Sequence, residues 1–116
     1  MVANGMPKVG TDLAVPDAGL SKMMDAYEAS PMEHVLFGHL GNNHLHLNLL
    51  PRDPEELRQA KEFYDELARL AISLGGTISA EHGVGKLKTR QLAWMVGPEV
   101  LEAFRLLKAR VDPAWI

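Results

Sequence analysis

The chain has 116 residues and a formal net charge of −3, from 12 Lys and Arg against 15 Asp and Glu. One domain of that length buries roughly two thirds of its unfolded surface and needs no disulfide staples. The acidic balance offers no footprint for a nucleic-acid backbone, no apolar run nears the ~18 residues of a membrane span, and with no Cys there are no disulfides, catalytic thiolates or cysteine-held metals.

In chain order, the opening MVANGMPKVG carries neither the basic nor the apolar region of a secretory leader, so a cytoplasmic setting is expected, with membrane association only through partners. Residues 11–15 (TDLAV) form a short strand stopped by Pro16. Asp17 can cap a helix in which Leu20, Met23, Met24 and Tyr27 are helically spaced, ended by Ser30-Pro31. The two Met read as core filler. Glu33 to Leu40 is strand-like, and Gly41-Asn42-Asn43 is the strongest turn signal, since Gly and Asn tolerate positive φ. His44 to Leu50 alternates, with His44, His46 and Asn48 on one face and Leu45, Leu47 and Leu49 on the other, which makes a hairpin with one greasy face.

Asp53, Pro54 and Glu56 give the N-cap, first position and capping-box partner of a helix with an apolar stripe from Leu57 to Leu74, stopped by Gly75. A brief strand at 76–79 leads into the loop Glu81-His82-Gly83-Val84-Gly85. Lys86 to Met95 form a further helix, with Lys86, Lys88 and Arg90 at its solvated start, although a Lys near the site could meet a substrate carboxylate. Gly97-Pro98-Glu99 opens the last helix, with Leu101, Phe104, Leu107 and Val111 inward and Asp112-Pro113 closing it; Trp94 and Trp115 read as packing residues. The order β-α-β-β-α-β plus two C-terminal helices is α+β and ferredoxin-like, with an antiparallel sheet carrying its helices on one face, in one domain over 1–116. That order by itself says little about activity.

All five His (His34, His39, His44, His46 and His82) fall between 34 and 82. His44 and His46, two apart on a strand, leave one face about 6.6 Å apart at Cα, close enough to chelate one ion. His39 can face them from the partner strand. Three imidazoles, or two and a carboxylate, suit a catalytic divalent ion with an open position. The plainer reading is a polar sheet face decorated with exposed His. In the Gly-flanked loop both Glu81 and His82 can reach one cavity, the first as ligand and the second as general base, although an isolated exposed acid and His read the same way.

Three blocks then resemble one family. GGTISAEHGVGKLK (75–88) resembles the GGT-I-S-x-EHG-x-G-x-x-K signature in the C-terminal domain of FAD-linked oxidases, the group of D-lactate dehydrogenase, the glycolate oxidase D-subunit and D-2-hydroxyglutarate dehydrogenase. His39-Leu-Gly-Asn-Asn-His-Leu-His46-Leu-Asn48 is similar to its H-x-G-D-G-N-L-H-x-N run, and Asp12-Leu-Ala-Val-Pro16 to its D-V-A-V-P strand. The resemblance implies hydride transfer from a small 2-hydroxy acid to FAD, with His39, His46 and Glu81 on a divalent metal such as Zn or Mn, His82 as base and Asn48 orienting substrate. It also implies a flavin held by an FAD-binding domain or subunit that is absent here, so that this segment alone is inactive; a homo-oligomer is compatible. Asn42-Asn43-His44 departs from the motif's Asp-Gly-Asn, making His44 an extra ligand, a replacement ligand or a surface residue. The carboxylate-binding Lys of some members corresponds to Gly10, with Lys8 displaced by two.

Two readings of other classes stand beside this. His44-Leu-His46-Leu-Asn48 looks like the strand of histidine-triad nucleotide hydrolases, with Asn48 in place of the third His. A non-catalytic metal-binding or oligomerising ferredoxin-like module would bind metal and ignore 2-hydroxy acids.

Overall fold

The computed structural model describes residues 5–116. Its elements are β1 (Val9–Gly10), β2 (Leu13–Ala14), α1 (Leu20–Glu28), β3 (His34–His39), β4 (His44–Leu49), α2 (Pro54–Ser73) and α3 (Thr89–Val111). One antiparallel sheet has β4 at its centre, paired with β3 on one side and with β1 and β2 on the other. This is the α+β, ferredoxin-like arrangement that the element order implies.

The first strand starts two residues earlier than expected and is hydrogen-bonded as two pieces. Val9 pairs with Leu49 and Leu13 with Leu45, so the register runs unbroken past Thr11 and Asp12. The ladder lapses there because the Thr11 carbonyl turns to the His46 ring, while Leu47 N–H donates to Thr11 Oγ1 at 3.0 Å. The expected strand at 76–79 shrinks to one bridge, Thr77 to Ala14.

Alternation places Leu13, Val15, Leu45, Leu47 and Leu49 on one sheet face, where α1 gives Met23 and Tyr27 and α2 gives Ala60, Leu67, Ala68 and Ala71. α2 starts as its sequence dictates, with Asp53 Oδ1 accepting from Glu56 N–H at 2.8 Å. The Glu56 carboxylate returns to the Arg52 amide rather than to that of Asp53, so the capping box closes one residue early. Gly75, at φ +81°, ends the helix.

α3 starts at Thr89 rather than Lys86, and Gly97 (φ 77°, ψ 170°) followed by Pro98 breaks it into the two helices that the sequence indicates. The second differs from expectation: Phe104, Leu107 and Val111 are exposed rather than inward, so that side of the helix is uncovered among the described residues. Trp115 is likewise exposed. Trp94 does pack, with the Arg69 guanidinium 4.4 Å from its ring centroid.

Candidate active site

The opposite face of the sheet carries the polar residues. Register sets His39 against His44, Phe37 against His46 and Val35 against Asn48, so all six side chains rise from one surface. On β4 the face is not the solvated one of the plainer sequence reading, since His44 and His46 are 5% and 7% exposed, whereas Val35, Phe37 and His39 on β3 remain exposed. The loop after Thr77 folds over them and forms, with the sheet, an open cleft of about 680 Å³ lined by His39, His46, Asn48, Glu81, His82 and Lys88. All five residues assigned roles by the motif resemblance therefore border one cavity.

They approach one another to different degrees. His46 Nε2 lies 3.2 Å from Glu81 Oε1, His82 Nε2 lies 3.4 Å from the same oxygen, and the His46 and His82 rings are 5.2 Å apart. Donor atoms of His46, Glu81 and His82 all fall within 4.8 Å of one another. His39 stands off: its ring is exposed and 6.1 Å from that of His44, outside that cluster. Asn48 borders the cleft across from Gly10. His34 is remote in role, with Nδ1 engaged by the Met32 carbonyl.

Asp12 holds the arrangement together, and the sequence reading gave it no role beyond its motif. Its carboxylate accepts from His44 Nε2–H (2.9 Å), Ser79 Oγ–H (3.0 Å), the amides of Glu81 (3.3 Å) and His82 (3.1 Å), and Lys88 Nζ (3.0 Å). Burial by itself would raise the Asp12 carboxyl; the Lys88 ammonium, the His82 amide and the Ser79 hydroxyl outweigh it and hold the group well below the usual carboxylate range. Lys88 is thus a largely buried ion-pair partner, not part of a solvated helix start. The signal was parity: in 11–15, Thr11, Leu13 and Val15 point to the core and Asp12 points with His46 across the pair.

The donor set suits a divalent cation. The Thr11 carbonyl can only accept, so His46 Nδ1, 3.0 Å away, carries the hydrogen and leaves Nε2 with a lone pair toward Glu81. Ionised Asp12 likewise draws a hydrogen of His44 to Nε2, so that in the neutral ring Nδ1 carries a lone pair, 3.9 Å from Glu81 Oε2. Two lone pairs facing a carboxylate repel unless a proton or a metal ion lies between them.

A ferredoxin-like sheet with a His- and Glu-lined cleft opposite its core defines the class of domain, and sequence comparison gives the family. The chain belongs to the family described as FAD linked oxidases, C-terminal domain, whose model matches residues 3–116. Among its relatives are a probable mitochondrial D-lactate dehydrogenase of Danio rerio (31% identical over 94% of this chain and 23% of the relative) and the glycolate oxidase subunit GlcD of Bacillus subtilis (32% over 88% and 23%). A D-2-hydroxyglutarate dehydrogenase of Stutzerimonas stutzeri is 36% identical over 70% of this chain and 18% of the relative. The chain thus spans about a quarter or less of the length of these relatives. Among the described residues, no helix is long and apolar enough to cross a membrane.

Proposed function

We propose that the chain is the substrate- and metal-binding part of an FAD-dependent enzyme that oxidises a small 2-hydroxy acid, of glycolate or D-lactate type, to the 2-oxo acid. The observation that carries this reading is the convergence of His46, Glu81 and His82 on one cleft in a chain of this family. Relatives named as D-lactate dehydrogenases and a glycolate oxidase subunit support the substrate class.

Two groups from outside the chain would supply the remaining chemistry when bound: a flavin, as acceptor for the hydride of the substrate α-carbon, and a divalent ion, as polariser of the substrate hydroxyl. His46 and Glu81 would hold that ion, with His39 at the rim of the same cleft. His82 takes the hydroxyl proton. Its imidazole is 63% exposed and so open to substrate, while its backbone is fixed by Asp12. Asn48, on the strand floor, offers an amide to orient the substrate. The buried sheet beneath excludes water from one side; the FAD-binding part is expected to close the other.

In the FAD-bearing protein that contains this chain, His82→Ala should abolish flavin reduction by the 2-hydroxy acid, a loss of at least about 100-fold, with FAD content unchanged. Glu81→Ala should release the metal. Flavin reduction followed at 450 nm with glycolate and D-lactate tests the first and metal analysis of the purified protein the second, and ordinary turnover by His82→Ala would overturn the assignment.

A further inference from the structure

His44 is the one imidazole of the site to which the reading above gives no task. It is not a surface residue: its side chain is 6% exposed, with ring centroids 4.4 Å from His46 and 6.1 Å from His39. A buried imidazole needs a reason for both its nitrogens. Nε2–H is accounted for by Asp12 at 2.9 Å. Nδ1 is not. It faces Glu81 Oε2 at 3.9 Å, too far for a hydrogen bond, and in the tautomer that Asp12 imposes it has no hydrogen to offer.

We infer that His44 is an additional ligand of the site's divalent ion, bound through Nδ1, and that it biases the site toward zinc over manganese. The inference rests on the metal-binding reading above. The carboxylate–imidazole–metal relay is the arrangement that orients a ligating His: Asp12 fixes the tautomer and the ring plane. Two donors sharing one ion at ~2.1 Å stand roughly 3 to 4 Å apart. His46 Nε2 to Glu81 Oε1 (3.2 Å) and His44 Nδ1 to Glu81 Oε2 (3.9 Å) each fall in that range, on different oxygens of the one carboxylate, and His44 and His46 share a donor cluster with Asp12. Glu81 is 46% exposed and can turn between the two imidazoles. Each added imidazole favours borderline ions such as Zn²⁺ over Mn²⁺, which prefers oxygen. His44 then sets which metal the site takes.

The test uses the purified chain with Zn²⁺ or Mn²⁺ alone, read by competition against a chromophoric chelator. His44→Asn should lose roughly tenfold or more in Zn²⁺ affinity and less than about threefold in Mn²⁺ affinity, narrowing the selectivity ratio. Imidazole ¹⁵N spectra of the unsubstituted chain supply the same answer without a variant. Zn²⁺ should move the His44 Nδ1 resonance to the metal-bound position while Nε2 stays protonated. If His46 shifts on Zn²⁺ addition and His44 does not, or if His44→Asn keeps the original selectivity, His44 is no ligand although the metal site stands. If the unsubstituted chain binds neither ion and no imidazole shifts, the metal-binding reading falls and this inference with it.

Discussion

One carboxylate decides whether the cleft exists. Asp12 receives five donors that belong to a strand, a loop and the start of a helix, and its own carbonyl accepts from Ala80 N–H at 3.0 Å. Asn in its place keeps the shape but presents an NH₂ group to donors that need an acceptor, and leaves Lys88 a largely buried cation without a counter-charge. Asp12→Asn is therefore expected to lower stability by about 3 kcal/mol in urea unfolding. Amide exchange at Glu81 and His82 should accelerate beyond the global loss, because their N–H groups lose their acceptor directly. Full protection at those two amides in the variant would show that the loop is held by something else.

At the scale of elements, the hairpin of β3 and β4 carries both the core and the site, and one glycine permits its close pairing. Gly38 sits at φ +149°, and a Cβ there would stand 2.3 Å from the His44 carbonyl oxygen and 2.9 Å from Leu45 Cα, both backbone atoms. Gly38→Ala should cost about 2 kcal/mol or more and displace His44 from Asp12, seen as a lower midpoint in thermal unfolding. A midpoint equal to that of the parent would mean the strands can part there without penalty.

The hairpin also shows what the sequence could and could not say. Alternation in 44–49 and the Asn-rich turn were readable because a period of two and a positive-φ requirement are local properties, and Asn43 does adopt φ +50°. Burial of the His face was not readable, since it depends on a loop thirty-odd residues later folding back over it. The amphipathic stripe on the second half of α3 erred in the other direction. Phe104, Leu107 and Val111 have the spacing of a buried face, but spacing states only that a face is apolar, not that a partner lies against it. Lys88 illustrates the same limit: charge pattern put it in solvent, whereas a counter-charge 76 residues away buries it.

Across the whole molecule, the core and the site are two faces of a single sheet, so what holds the helices on one side also steadies the cleft on the other. Both tyrosines of the chain are buried on its helices. Tyr27, on α1, donates its hydroxyl to the Leu45 carbonyl at 3.4 Å, which ties the helical layer to the central strand. Burial pushes its hydroxyl up to about 12; burial, with the negative charges of Asp65 and Asp12 behind it, does the same for Tyr64 on α2. A group whose pKa is raised by folding contributes its full stability below its unfolded value, here 10, and loses it as pH climbs through the folded value. Each tyrosine should therefore subtract roughly 2 to 3 kcal/mol between pH 10 and pH 12, as unfolding lets it ionise more readily. Stability measured by urea titration should stay level with respect to these groups up to about pH 10 and fall steeply beyond, and absorbance at 295 nm should rise together with loss of the helical signal rather than ahead of it. Tyr27→Phe should make that alkaline fall shallower by about half. Tyrosinate appearing near pH 10 with the helical signal intact would mean that water reaches these hydroxyls in the native state, and that the helical layer is not tied to the central strand in the way described.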